Sequence, residues 1–363
     1  MTSELTFLIG FLIFIGLLLA FDLGLLSKKS ETISLKHAGI MSFAVVALAM
    51  VFYFFIITYG HLIHGIDSLE KLQMIIATNK HPVEIIPNDL PHSLDLYNQN
   101  LGLEFLTGYV VEYALSIDNI FVIMLIFTSF NVKQKNYHRV LFWGILGAIV
   151  MRFAFIFVGS ALIAKFDWIL YVFGAFLIFT GIKMFLDRNK EETIDTEHHP
   201  VVRFSNKYFK VHNNFVGDKF WILTDGFWKI TPLFLVLIIV EFTDLIFAVD
   251  SIPAIFSVTK DPYIVFFSNI FAIIGLRSMF FLLANFIDKL RYLKIGLAVL
   301  LIFIGLKMIF HTQMEEWGFK TTHSLLIILL ILGTSVGTSL AYPKSEKERH
   351  LKYDPDRDGD GKH

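Results

Sequence analysis

Residues 112–119 read EYALSIDN and residues 244–254 read DLIFAVDSIPA. Each stretch sets two carboxylates six residues apart, Glu112 with Asp118 and Asp244 with Asp250, inside an otherwise apolar run. Glu241 stands just before the second pair. An acid at the centre of a bilayer costs about 2.5–3.5 kcal/mol on insertion scales, so these five are expected to turn away from lipid. Their available partners are one another, the deep arginines Arg152 and Arg277, water, or a cation. Five acids against two bases leave a deficit of positive charge, which protonation of some acids would fill. A divalent cation with a proton would fill it about as well. Such a site binds and releases a cation; it does not make bonds.

Helical geometry sharpens the expectation. Glu112, Ser116 and Asn119 lie at i, i+4 and i+7 and share a face, whereas Asp118 lies about 240° round an unbroken helix from Glu112. The two acids therefore converge only if the helix unwinds, or else each meets a different partner. Pro253 cannot donate to the carbonyl of Val249 and is expected to break the helix just after Asp250. A broken helix beside an acid offers carboxylate and backbone oxygens together, which suits a hard divalent ion. Asp118 and Asp250, flanked by Asn119 and Ser251, are the candidate ligands. A plainer reading stands beside this one, in which Arg152 and Arg277 pair with Glu112 and Asp244 as structural ion pairs.

The elements that must position these acids are membrane helices. The chain has 363 residues, is 55% hydrophobic and only 17% charged, and has a mean hydropathy of +0.63, values that suit a polytopic membrane protein and not a soluble enzyme. With no cysteine, disulfides and thiolate metal sites are excluded. About nine segments are long and apolar enough to cross: 5–26, 38–59, 103–130, 138–163, 166–186, 231–257, 262–286, 292–310 and 323–341. The first has no lysine or arginine before it and is expected to be a retained helix, not a cleaved leader.

Lysine and arginine orient the set. With the N-terminus outside and one crossing per segment, the inner connections hold 22 of these residues and the outer ones 5. The predicted topology is thus N-out and C-in. The fold class is an all-α polytopic membrane protein. Residues 1–59 form two N-terminal membrane helices, 60–102 an extracytoplasmic loop, 103–186 a first repeat and 187–229 a cytoplasmic loop. Residues 231–310 form a second repeat, 323–341 the ninth helix and 342–363 a cytoplasmic tail.

The two repeats echo each other. RVLFWGILGAIVMRFAFIFVG (139–159) parallels IVFFSNIFAIIGLRSMFFLLA (264–284), aligning Arg152 with Arg277. FGAFLIFTGIKMF (173–185) parallels IGLAVLLIFIGLKMI (295–309), aligning Gly181 with Gly305 and Lys183 with Lys307. A three-helix unit crosses an odd number of times, so its second copy must be inverted, as in many secondary transporters.

Other features weigh less. Lys183 and Lys307 are expected to snorkel toward opposite faces. His61 and His64 could make an outer metal site, although a solvated amphipathic segment around GIDSLEKLQMII is the better expectation. The loop 187–229, with VVRF, YFKV and KFWIL, reads as a small hairpin lid. The tail DPDRDGDGKH opens like a calcium loop but ends before the closing glutamate, so it reads as an acidic tail. No Walker-type loop, nucleophile constellation or nucleic-acid signature is present, so neither an enzyme nor an ATP-driven pump is expected, and no permanent cofactor.

The stretch EFTDLIFAVDSIPAIFSVTKDPYIVFFSNIFAIIGLRSMFFLLA (241–284) closely resembles the signature of the TerC/Alx family of bacterial membrane proteins. EYALSIDNIFVIMLIF (112–127) and HRVLFWGILGAIVMR (138–152) resemble its partner segment, as does FDLG (21–24) in the first helix. The resemblance covers about residues 100–310. It implies a bacterial cytoplasmic (inner) membrane protein that exports manganese(II), with Mn2+ as substrate. On the matching positions, Asp118 and Asp250 would bind the metal, Glu112 and Asp244 would support them, and Asn119 and Ser251 would add neutral oxygens. Asp22 would be a relay acid on the cytoplasmic side, though a solvated residue near the interface explains it as well. The residues themselves call for a hard divalent cation without singling out manganese; Met124 is as well explained as a packing residue. Proton coupling through spare acids is compatible with this pattern. Two other readings remain: an exporter of another divalent cation such as calcium, and a membrane scaffold assisting metal loading or assembly of exported proteins. The oligomeric state is not legible.

Overall fold

Each apolar run expected to cross is helical, because a backbone in lipid must satisfy its polar groups within the segment. In the computed structural model the described residues are 3–26, 35–166, 168–187, 211–212, 214–224, 227–283 and 292–342. The helices are α1 (Ser3–Leu26), α2 (Leu35–Tyr59), α3 (His61–His64), α4 (Leu69–Asn79), α5 (Leu90–Ser129), α6 (Tyr137–Lys165) and α7 (Ile169–Leu186). After a short hairpin come α8 (Pro232–Phe256), α9 (Pro262–Leu283), α10 (Leu293–Ile309), α11 (His311–Glu316) and α12 (Thr321–Ala341). Among the described residues 8 helices are long and apolar enough to span a bilayer. The ninth expected span, 292–310, is α10, a helix of 17 residues.

The outer connection differs from the expected loop 60–102. Asp89 caps α5 by accepting from the His92 N–H, Pro91 sits in the first turn, and the helix starts at Leu90. Leu94, Tyr97, Leu101 and Phe105 repeat at helical spacing, and the last three are fully buried. Hydropathy falls over 90–102 because Asp95, Asn98, Gln99 and Asn100 interleave them, so a hydropathy window ends where the helix does not. Residues 69–79 are amphipathic as expected, but α4 buries Leu72 and Ile75 in the core and is not solvated all round.

α9 is the central post, buried along nearly its whole length and packed by α2, α5 and α6. Phenylalanines fill this layer. Phe267 meets Phe11 of α1 with ring centroids 4.4 Å apart, and Phe271 meets Phe52 of α2 at 4.8 Å.

α7 and α10 approach each other backbone to backbone at their glycines. A Cβ added at Gly305 would lie 2.6 Å from the carbonyl oxygen of Gly174, and one at Gly174 would lie 2.9 Å from that of Gly305. A Cβ at Gly181 would lie 2.8 Å from the carbonyl oxygen of Ala298. In the repeat alignment Gly181 corresponds to Gly305 and Gly174 to Ala298. The pairs 174/305 and 181/298 are therefore each other's equivalents, the reciprocity that an antiparallel pair related by a local two-fold must show. Gly305→Val is expected to destabilise the protein by about 1–3 kcal/mol through overpacking against backbone. Thermal unfolding in detergent measures it, with Gly333→Val as the control, since a Cβ at Gly333 meets nothing within 4 Å.

A two-stranded antiparallel hairpin, β1 (Trp221–Thr224) and β2 (Phe227–Ile230), precedes α8. It bears out a hairpin over KFWIL; VVRF and most of YFKV lie outside the described residues. So do His198, His199, the side chain of Asp22 and the tail from 343 onward.

Candidate functional site

Arg152, in the middle of α6, has no solvent exposure. A buried guanidinium demands acceptors on every side. Its Nε and Nη2 form a fork on Asp244 of α8, 3.3 Å to Oδ2 and 3.0 Å to Oδ1. Its Nη1 donates to Glu112 Oε1 of α5 and, at 2.8 Å, to Asn269 Oδ1 of α9. Ser251 Oγ stands 3.5 Å away, at the limit of a hydrogen bond. Four helices thus meet on one cation, with Glu112 from the first repeat and Asp244 from the second.

One arginine against two acids leaves the centre formally negative. The neighbouring polar atoms are incompletely used: Glu112 Oε2, Ser116 Oγ and Asn269 Nδ2 are buried and have no hydrogen-bond partner. Glu241, one turn before Asp244, is half-buried with Oε2 likewise unpartnered. Its carboxylate fills the space a side chain would take at Gly147 of α6, where a Cβ would lie 2.1 Å from Oε1. The glycine there is the room for the acid.

The structural reading expected one arginine per acid pair, and here it needs correcting, since Arg152 holds both Glu112 and Asp244. Arg277 is buried elsewhere on α9. The expected helix break also needs correcting. α8 runs through Pro253 to Phe256, with the Ser257 N–H still reaching the Pro253 carbonyl at 3.1 Å. In the last turn a proline forfeits one N–H and displaces little, so the helix ends soon after it without breaking at it.

With α5 and α8 both unbroken, Asp118 and Asp250 stay rotated away from the acids that grip Arg152. Asp250 is half-buried and accepts from Thr180 Oγ1 of α7 at 3.2 Å. Lys183, one turn on, lies within its electrostatic reach. Asp118 is half-buried and Asn119 buried on α5. Among the described residues no group of three or more histidines and acids is arranged so that it could hold a metal ion. The expected set Asp118, Asp250, Glu112, Asp244, Asn119 and Ser251 is thus divided between an arginine-held centre and two flanking acids.

Sequence reasoning missed Asn269 and Thr180. Asn269 had a signal, a lone amide in an apolar helix eight residues before Arg277. Thr180 had none, because threonine is common in membrane helices as a backbone-bonding residue.

The family model described as "Integral membrane protein TerC family" matches residues 97–347. The uncharacterized membrane protein STKORF319 of Myxococcus xanthus is 40% identical over 341 residues, covering 94% of this chain and 92% of that protein. The Alx protein of Escherichia coli, provisionally named a membrane-bound redox modulator, is 51% identical over 208 residues, covering 57% of this chain and 64% of its own length. An Alx protein of Photorhabdus laumondii is 40% identical over 301 residues, 83% of this chain and 84% of that one. No solved structure matches.

Proposed function

We propose, from the premise that this chain belongs to the TerC family of integral membrane proteins, that it is a secondary transporter exporting manganese(II) from the cytoplasm. The family is a bacterial one of multi-pass membrane proteins, and membership supports a transport or metal-related role in general. The observation that carries the finer reading is the buried Arg152, bridging an acid from each of two inverted repeats. Transporters of this architecture bind their substrate where the repeats meet.

In this reading Arg152 is a tethered cation. It pairs with both Glu112 and Asp244 while no metal is present, so that neither carboxylate is without a cationic partner in the protein interior, although one negative charge remains. The ion is met by Asp250 and Asp118, which the arginine does not hold, and the unpartnered oxygens of Glu112 and Ser116 lie beside the path. As the repeats rock about the α7–α10 seam, the ion changes sides. Glu241, with no base at its free oxygen, is the acid fitted to carry the exchanged proton. The protein sits in the bacterial cytoplasmic membrane, N-terminus outside, as its lysine and arginine distribution predicts. No covalent chemistry and no resident cofactor belong to this mechanism. The redox role attached to the name of its relatives would need a centre other than thiols, because the chain has no cysteine.

Purified protein in liposomes, loaded with a manganese-sensitive dye, tests the reading. Manganese influx above that of empty liposomes is expected, accelerated by an opposing proton gradient. Calcium flux without manganese flux would reassign the ion, since an all-oxygen donor set serves both. No flux of either would leave the scaffold reading.

A further inference from the structure

A second charged cluster, unconnected to Arg152, closes the N-terminal end of the bundle. His64 of α3 is buried, its Nδ1 2.9 Å from Glu4 Oε1 of α1 and its Nε2 2.9 Å from Asp261 Oδ2. His81, in the linker after α4, is buried with Nδ1 3.0 Å from Glu104 Oε1 of α5. Its Nε2 faces the same Asp261 oxygen at 3.6 Å, an ion-pair distance too long for a hydrogen bond. The five side chains therefore alternate as acid, imidazole, acid, imidazole, acid.

Their neighbours fix them in place. Thr259 Oγ1 and Asn100 Nδ2 donate to Glu104 at 2.6 and 2.7 Å, and the Tyr263 N–H donates to Asp261 Oδ1 at 2.9 Å. Tyr263 Oη donates to Glu4 at 3.4 Å, and the rings of Tyr263 and Tyr97 stand edge-on to His64 and His81. Lys71 is turned to the Gly65 carbonyl, and His61 to Asn98.

An ionised carboxylate can only accept. His64, with both nitrogens at hydrogen-bond distance from ionised carboxylates, is therefore an imidazolium. His81 bonds one carboxylate through Nδ1 and faces a second at ion-pair distance, which favours the charged ring there too, so the cluster sets two positive rings among three acids. Through the protons on those rings the charges of α1, α3, the linker, α5 and the start of α9 are held together, beside the neutral bonds from Tyr263, Thr259 and Asn98. The joint lies over the Arg152 centre. Glu104 precedes Glu112 by eight residues on α5, and Asp261 precedes Asn269 by eight at α9, about 12 Å of helical rise in each case.

We propose that His64 and His81 form a proton-operated clasp, a site separate from the cation path, which holds the N-terminal end of the bundle shut while both rings are protonated. Loss of the protons to solvent leaves Asp261 buried among neutral rings, and the segments part. The role as an outer gate rests on the transporter reading; the clasp itself does not.

The direction of the pH effect follows from the surroundings. Burial alone would lower both imidazoles, but the facing carboxylates prevail, holding His64 up at about 9 and His81 at about 10, while the two imidazoliums keep Asp261 well below the usual carboxylate range. Folded values above the unfolded value of about 6.5 mean that this stabilisation is complete below pH ~6.5 and is lost as pH rises through about 9 to 10.

Because the chain lacks cysteine, spin labels can be placed without background. One pair, Ile9→Cys on α1 with Gln73→Cys on α4, spans the clasp; a second, Phe176→Cys with Val299→Cys, spans the α7–α10 seam. In lipid nanodiscs the first pair is expected to give one narrow distance population at pH 7, lost with a midpoint between pH 9 and 10, while the second pair stays unchanged. With His64→Gln and His81→Gln added, the narrow population is expected to be missing already at pH 7. If that variant does not fold, the titration of the clasp pair decides alone. A clasp distance unchanged from pH 7 to 10.5, or a seam pair moving with the same midpoint, overturns the proposal. A protein that carries neither manganese nor calcium but whose clasp distance titrates sinks the transporter reading and leaves the clasp standing.

Discussion

Asp250→Asn is expected to lower manganese flux in liposomes by roughly tenfold or more, equivalent to about 1.4 kcal/mol or more of lost metal interaction, while leaving the fold intact. Asp250 is the deep acid best placed to meet an ion without first releasing an arginine. Its hydrogen bond comes from Thr180, whose hydroxyl can donate to an amide oxygen as readily as to a carboxylate, so asparagine preserves the local structure. What asparagine lacks is the charge. If flux through Asp250→Asn matches the unmodified protein, the metal path does not run past α8. Asp118→Asn, its counterpart in the first repeat, is expected to show a similar loss, and an effect confined to one of the two would mean that the repeats are functionally unequal.

Arg152→Met should behave in the opposite way, losing the fold before any transport can be assayed. Removing one member of a buried, hydrogen-bonded ion group costs about 3–5 kcal/mol, because the remaining charges stay buried and unpaired. Glu112 is then stranded with neither oxygen neutralised, and Asp244 loses both arms of its fork. Thermal unfolding in detergent should shift sharply downward, or the protein should fail to elute as a single species. Adding Glu112→Gln and Asp244→Asn removes the stranded charges and is expected to restore most of the stability. A stable Arg152→Met single variant would show that the acids are already protonated in the folded protein, contrary to the arrangement described here.

Much of this architecture was legible because lipid imposes simple rules. Apolar runs marked the helices, and the charged residues within them marked the repeat. The alignment of Gly181 with Gly305 marked only the repeat; that these glycines form a close seam between α7 and α10 is a property of the fold. Legibility failed where helices leave the apolar register. The first turns of α5 are polar enough to pass for a loop, and Glu104, at the very start of the expected span 103–130, went unexamined. Asp261 and His81 were unremarkable singly, and nothing in a linear string says that residues 4, 64, 81, 104 and 261 share one end of a bundle. Pro253 misled for another reason. Its effect depends on how much helix follows it, and here only three residues do.

The self-complementary seam between α7 and α10 has an energetic consequence. If two inverted repeats exchange conformations about such a seam, the arrangement before the exchange and the one after it bury the same backbone contacts in mirrored roles. To the extent that the repeats match, the two end states are then isoenergetic, and the fold itself sets no preferred direction. Direction must come from what breaks the match. Arg152 bonds Glu112 and Asp244, whereas among the described residues no bond from its counterpart Arg277 to either acid is seen, and the histidine clasp has no copy at the other end. The asymmetric parts of the molecule, not the repeated ones, are where a bias between inward-facing and outward-facing populations would be written.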